Sequence, residues 1–488
     1  MSAASIMVLA VAVPFAGAIL IALLHRFPNL RETATVATAA LLFALVVILM
    51  TDFRPDDWPV VELFEIFPGV AVGLAVEPLG MTFAVLASAL WVVTSIYSIG
   101  YMRANREDHQ TRYYVCFSLS LGATIGIAFA ADLLTLFIFY EVLTLATYPL
   151  VTHAGTRAAQ LGGRTYLGLL LGTSIGLLLL AIIITWFEAG TLRFAAGGIF
   201  GDSPPAMAGV LLVLFLFGIG KAALMPFHRW LPAAMVAPAP VSALLHAVAV
   251  VKAGVFTVLK VSVYVFGTEL VSELWSDRWL LWVAAATIVI ASLIALRQDD
   301  LKRRLAYSTV SQLSYIVVGA LLANRAGIIG GGMHMATHAV GKITLFFCAG
   351  SIYTAARLTN VSEMRGLARR MPVTMAAFTV GSLSVIGLPP MAGVWSKWYL
   401  VTGSIEAGEF GLLAFLLVGS LLSAGYLLPV AVQAYLPTTG ANAAQNTGIR
   451  EGPVACLVAL VLTALACLAL FVFPDALYTM IARIAVAP

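Results

Sequence analysis

Residues 217–232 read Phe-Gly-Ile-Gly-Lys-Ala-Ala-Leu-Met-Pro-Phe-His-Arg-Trp-Leu-Pro. Lys221 follows more than a dozen apolar or small residues and stands just before Pro226, too deep for its stem to reach water. Proline removes a backbone donor and frees a carbonyl, and in lipid such a break persists only where protein or cavity water satisfies those groups. A second long apolar stretch, 373–404, carries Leu388-Pro389-Pro390 near its middle and Lys397 beyond it. Both stretches are too long for one straight span. They predict two broken membrane helices in corresponding positions, each holding an intramembrane lysine.

The rest of the chain agrees. Of 488 residues, 61% are hydrophobic and 10% charged, and the mean hydropathy is +1.00, more apolar surface than a soluble fold can hide. The net charge of +4 fits loop topology, and no basic run supports nucleic-acid binding. Cys116, Cys348, Cys456 and Cys467 lie in apolar stretches without paired or CxxC spacing, so neither disulfides nor a zinc site is expected. The first apolar stretch lacks a basic leader and continues past a weak Ala-Gly-Ala signal, and is expected to remain as the first helix.

A ruler of about 20 apolar residues places spans near 5–25, 34–51, 73–102, 112–130, 132–152, 164–187, 206–237, 240–267, 279–296, 304–323, 326–356, 373–404, 410–436 and 453–474. The expectation is an all-α polytopic membrane protein of about fourteen transmembrane helices. With the N-terminus outside, inward connections hold 17 lysines and arginines and outward ones 5 (Arg54, Arg193, Arg278, Arg325 and Arg483). That split follows the positive-inside rule and puts both termini outside. The outward connection 52–65 is acidic and Pro-containing and is read as a surface loop or short amphipathic segment.

Five basic residues remain inside spans, all lysine: Lys221, Lys252, Lys260, Lys342 and Lys397. Arginine keeps its proton in almost any setting, whereas a desolvated lysine can exchange one, so this sorting points to proton transfer. Glu141 is the one acidic residue at the centre of a span and needs a cation; Lys221 is the expected partner, against a static pair as the plainer reading. His334, His338 and Lys342 at i, i+4 and i+8 share one helix face about one turn apart and read as a proton wire. Metal ligation there lacks further ligands, and packed interior histidines are the blander alternative. His246 and Lys252 add two titratable groups to 240–267. Lys397 and Lys260 lie nearer span ends, where snorkelling competes, Glu77 and Asp132 favour a solvated reading, and His228 beside Arg229 reads as an anchor or a relay at the inward mouth. The glycines at 162, 163, 168, 172, 176 and 330–332 are assigned to close helix packing. No P-loop, dinucleotide fingerprint or haem motif is present, so no cofactor and no metal are expected.

At residues 220–235 and 238–247, with Tyr140-Glu141, Asp300-Leu301-Lys302-Arg303, Ala306-Tyr307-Ser308-Thr309 and Gly387-Leu388-Pro389-Pro390, the sequence resembles proton-conducting antiporter-like subunits. These occur in Mrp-type cation/proton antiporters, the membrane arm of respiratory complex I and membrane-bound hydrogenases. The resemblance covers nearly the whole chain and is greatest to the D-type Mrp subunit, since the chain ends soon after its last span and has lysine at 397. It implies N-terminal helices over 1–111, two inverted five-helix repeats over 112–268 and 269–437, and a final helix over 438–488. It also implies Glu141 and Lys221 as a coupling pair, Lys252 as central relay, His334, His338 and Lys342 as the linking group, and Lys397 as the terminal lysine. Ala233 replaces an aspartate common in relatives, which removes a mouth carboxylate. The implied function is proton movement in a multi-subunit Na⁺ or K⁺/H⁺ antiporter of a bacterial inner membrane, with other membrane subunits as partners and no enzymatic step of its own. The other reading is the pumping subunit of an NADH- or hydrogen-oxidising complex. A scaffold-only role conflicts with five buried lysines.

Overall fold

The computed structural model describes residues 2–51, 59–67, 69–201, 204–437 and 448–484. In chain order its elements are α1 (Ala3–Leu23), α2 (Pro28–Thr51), β1 (Val60–Phe67), β2 (Val70–Ala75), α3 (Pro78–Asn105), α4 (Gln110–Ala128), α5 (Leu133–Val151) and α6 (Arg157–Ala189). Then come α7 (Pro205–Gly218), α8 (Ala239–Phe266), α9 (Trp275–Leu296), α10 (Leu301–Leu321), α11 (Arg325–Ala356), α12 (Pro372–Ile386), α13 (Gly393–Glu406), α14 (Phe410–Tyr435), α15 (Val454–Val472) and α16 (Asp475–Ala482). Short helical turns between them are left unnumbered. Among the described residues, ten helices are long and apolar enough to cross a membrane. The more polar α4 and α10 and the interrupted α7 and α12–α13 complete the bundle, so the chain is an all-α polytopic membrane protein.

Local chemistry sets the helix ends. Asp132 starts α5 by accepting from the Thr135 amide at 2.7 Å, Asp300 starts α10 from the Arg303 amide at 2.8 Å, and Asn324 starts α11 from the Gly327 amide at 2.8 Å, each pairing an orphan N–H of the first turn. Pro78, Pro205 and Pro372 fill the first positions of α3, α7 and α12, where the missing donor costs nothing. Inside the bundle, Ser and Thr hydroxyls bond the carbonyl four residues back, as Thr94, Ser98, Thr124 and Thr309 do, which satisfies them without water.

The connections fall on two sides. On one, Arg31 reaches Gln110 and Thr111, Arg357 reaches Asn105, and Leu301 N bonds Thr359 O; we call it the basic side. The opposite, hairpin side holds β1–β2 and the α4–α5, α6–α7 and α8–α9 connections, joined by Leu133 N to Leu192 O at 3.0 Å and Ala195 N to Tyr264 O at 3.1 Å. Successive helices alternate between the sides as the spacing of arginines predicts. The arginines themselves occupy end turns as well as loops, among them Arg31, Arg103, Arg303 and Arg304.

Three expectations need correction. Residues 60–67 form no loop or amphipathic segment: β1 pairs antiparallel with β2, Val60 opposite Ala75, while 52–58, including Arg54, lie outside the described residues. The third span therefore begins at Pro78, because Gly73 and Ala75 are tied by backbone bonds to Ala131 and Phe129. Glycine packing holds only in part. Added carbons at Gly162 and Gly163 would meet Ala233 and Thr152, and at Gly330 and Gly332 they would meet Leu400 and Ile481, but at Gly168, Gly172 and Gly176 they would meet nothing within 4 Å. Those three lie on an open face of α6.

Candidate functional site: a buried chain of lysine and histidine

The first break opens earlier than Pro226. α7 ends at Gly218, and Lys221 sits in a single 3₁₀ turn, Gly220–Ala222, inside the interruption. The freed backbone is satisfied by protein: Trp230 Nε1 donates to Gly220 O at 2.9 Å, and the Lys221 amide donates to the Tyr140 hydroxyl at 3.1 Å. Gly254 of α8 lies against the Lys221–Ala222 backbone, where a Cβ would collide, so only glycine lets the break and α8 approach so closely. The fully buried Lys221 ammonium donates to Tyr140 O at 2.8 Å and Thr144 Oγ1 at 2.6 Å. It also lies 3.1 Å from the Tyr140 ring centroid, a cation–π contact strengthened by the absence of water.

The Glu141 charge acts on the Lys221 ammonium through space rather than through a direct contact. No ion pair within 4.0 Å joins them among the described residues. Lys221 meets the Tyr140–Thr144 edge of α5, whereas Glu141 is on a half-buried face, one turn from Leu145, which is 57% exposed. Both Glu141 carboxylate oxygens are nevertheless shielded and have no hydrogen-bond partner among the described residues.

Beyond the break the titratable groups do converge. Lys252 of α8 and His338 Nδ1 of α11 share a hydrogen bond of 2.6 Å, and both are buried. His338 stacks on His334 with ring centroids 5.8 Å apart. His334 Nδ1 bonds Ser396 Oγ at 2.9 Å, and its ring lies 5.5 Å from that of Tyr315. Lys397 stands 4.9 Å from the Tyr315 ring and donates to Ser420 Oγ at 2.9 Å and Ile386 O at 2.7 Å. Lys397 therefore turns inward and does not snorkel.

Lys342 departs from the straight wire. It leaves the histidine face for α10, donating to Ser308 Oγ at 2.6 Å and Leu305 O at 3.2 Å, and Ser308 continues to Tyr426 OH at 2.9 Å. His246 packs on Phe346 at 4.5 Å between centroids, and both its nitrogens lack partners among the described residues. Ala239 and Gly350, two turns and one turn from His246 and Phe346, line a cavity of about 280 Å³ on the basic side that Lys302 and Glu107 also face. His228 lies 6.3 Å from the Tyr307 ring, outside the chain of contacts.

Sequence reasoning missed the partner side chains of this network: Tyr140, Thr144, Ser308, Tyr315, Ser396 and Ser420. It also misjudged Glu77, Asp132 and Lys260. All three are buried, and Lys260 pairs with Glu77 at 2.9 Å. Among the described residues no group of three metal-ligating side chains occurs.

A bundle with two interrupted helices and lysines strung through its interior defines a polytopic membrane subunit of antiporter type. Residues 130–423 match the family model described as NADH:quinone oxidoreductase/Mrp antiporter, TM, and the chain belongs to that family. It is 35% identical over 386 residues to NADH-quinone oxidoreductase subunit N of Desulforudis audaxviator, covering 77% of this chain and 76% of that one. NAD(P)H-quinone oxidoreductase subunit 5 of Adiantum capillus-veneris chloroplasts is 34% identical over 71% of the chain, which spans 50% of that longer protein. In fold, a chain of the Mrp complex from Dietzia sp. DQ12-45-1b superposes with a TM-score of 0.87 at 22% identity, over 99% of this chain and 97% of that one. A chain of the archaeal membrane-bound sulfane sulfur reductase gives 0.84 at 22% identity, over 98% and 96%.

Proposed function

We propose that this subunit moves protons through Lys221, Lys252, His338, His334 and Lys397, with the Glu141 charge coupling to Lys221 and with His246 and Lys342 as side branches, within a hetero-oligomeric Mrp-type Na⁺ or K⁺/H⁺ antiporter. The observation that carries the reading is the 2.6 Å Lys252–His338 bond inside a buried run of titratable side chains. Charge held in lipid costs several kcal/mol, and groups that exchange protons at hydrogen-bond distance give that charge a use. Lys221 and Lys252 share no direct bond among the described residues, but their segments touch at Gly254, and trapped water would complete the transfer.

The half-buried, outward face of α5 that carries Glu141 and the 57% exposed Leu145 supports a neighbouring membrane subunit that covers it. Division into two repeats at 112–268 and 269–437 is supported by the two breaks, and the arginine-rich side is assigned to the cytoplasm of a bacterial cell. A second reading, redox-driven pumping, is favoured by the 35% identity to a quinone oxidoreductase subunit.

Everted vesicles carrying the intact complex test both readings by fluorescence quenching. Glu141→Gln and Lys221→Ala are expected to abolish coupled proton movement with the complex still assembled; wild-type rates in both would remove the proposed roles. Response to sodium or potassium supports exchange, whereas response only to NADH or another reductant supports the redox reading.

A further inference from the structure

Glu77 and Lys260 lie outside the chain of contacts described above, yet 2% and 1% exposed they are among the most enclosed charges in the molecule. Glu77 stands at the position that begins α3 but makes no side-chain cap bond there. Its carboxylate meets Lys260 instead, at 2.9 Å, and the ammonium also donates to Ala130 O at 2.9 Å. Rings of Phe194 and Phe256 lie 4.5 and 5.4 Å from the same ammonium. The pair lines a cavity of about 130 Å³ with Val60, Ala130, Arg193 and Phe194. Ala131 and Arg193 are shared with a second cavity of about 260 Å³ beneath the hairpin, which Asp132, Glu62 and Glu65 also line.

Lys252, Phe256 and Lys260 are spaced i, i+4 and i+8 on the regular part of α8, so they share one face and the two ammonium-bearing residues are about 12 Å apart along the axis. Between them Phe256 stacks on Phe83 of α3, with ring centroids 4.7 Å apart and an interplanar angle of 29°. The arrangement is a titratable pair open toward one side, a two-ring plug, and the relay lysine behind the plug.

We infer that Glu77 and Lys260 form a second proton-transfer station, which passes protons between Lys252 and the hairpin-side cavities when the Phe83–Phe256 stack parts. A proton reaching the station converts the carboxylate to the acid, or the neutral amine to the ammonium, and leaves as hydronium through the cavity water; no other bond changes. This inference rests on the proposed proton-conducting function. Its rival is a purely structural ion pair stapling α3 and α8 to the α4–α5 turn, which a neutral pair of similar volume replaces without penalty.

The test uses the whole complex in vesicles. Glu77→Gln/Lys260→Met, which leaves no charge unpaired, is expected to assemble and to lower coupled proton movement about tenfold or more, and Glu77→Lys/Lys260→Glu, which keeps a titratable pair, to recover part of the rate. Phe256→Ala is expected to raise passive proton leak several-fold, and the leak to vanish when Glu77→Gln/Lys260→Met is added. Wild-type rates in the neutral double variant, no leak in Phe256→Ala, or a leak untouched by the added pair would each overturn the inference. Lys221→Ala run alongside separates the two claims: if it keeps full transport, the proposed function itself fails, whatever the plug variants do.

Discussion

The two broken helices look alike in sequence and use their lysines differently. At the first, the Lys221 ammonium ignores its own helix and bonds across to Tyr140 and Thr144 of α5 in a fully buried cage. At the second, the half-buried Lys397 folds back and donates to Ile386 O, the last residue of α12, while also reaching Ser420 of α14. One lysine is thus a tie between helices; the other is partly the cap of its own break. The same residue at the same kind of interruption is held across helices in one half and partly by its own helix in the other, and only the geometry separates the two.

Arginine substitution presses hardest on this difference. Lys221→Arg is expected to lose coupled proton movement about tenfold or more, because guanidinium keeps its proton, and to lower complex yield, because the closed cage has no room for it. Lys397→Arg is expected to lose transport to a similar degree yet assemble at wild-type yield, since its half-buried site can admit the larger head and still cap Ile386. Size-exclusion yield beside vesicle quenching reads both, and equal yields would erase the distinction.

A gentler pair of changes removes one acceptor from each site. Thr144→Val strips the cage of its hydroxyl and should destabilise by about 1–3 kcal/mol, the usual cost of a buried donor left short of a partner. Ser420→Ala should cost less, because Ile386 O stays in place and the chamber is more open. Thermal unfolding of the purified complex compares them, and a larger shift for Ser420→Ala would reverse the assignment.

The last effect lies on the basic side and shows only below pH 6.5. Burial, with Arg112 and His109 adding to it, pushes the His153 imidazole down to about 4, so near neutral pH its 3.9 Å approach to Glu107 is no ion pair. The folded state resists a proton that the unfolded chain accepts near pH 6.5, so stability falls as pH drops from 6.5 toward 4, by at most about 1.4 kcal/mol per unit. His153→Gln should flatten that window in a melting-temperature series, and an unchanged slope would assign the acid sensitivity elsewhere.

Much of this architecture was legible from residue order. Apolar length fixes the spans, arginine placement fixes their alternation, and proline beside lysine marks the breaks, because each is a local signal. Partners across helices were not. Glu141 and Lys221 appear complementary along the chain, yet the side of α5 that Tyr140 and Thr144 occupy is the one that meets the break. Glu77 and Lys260 each resemble a residue at a wet helix end, and only tertiary packing encloses them together. The hairpin was missed because its apolar residues merge with the following helix, and the Lys342 branch because a single face of α11 says nothing about Ser308 on α10.

On the hairpin side, a lattice of main-chain bonds runs from Ala75 to Phe129, Ala131 to Gly73, Phe194 to Ala131, Ala195 to Tyr264 and Ile199 to Val265. It knits the ends of four helices into something close to a woven lid. Such a weave cannot swing as a flap without tearing several peptide contacts at once, so deuterium should enter these amides slowly during turnover. On the inferred route, an opening beneath this roof falls to the Phe83 and Phe256 rings and not to the main chain.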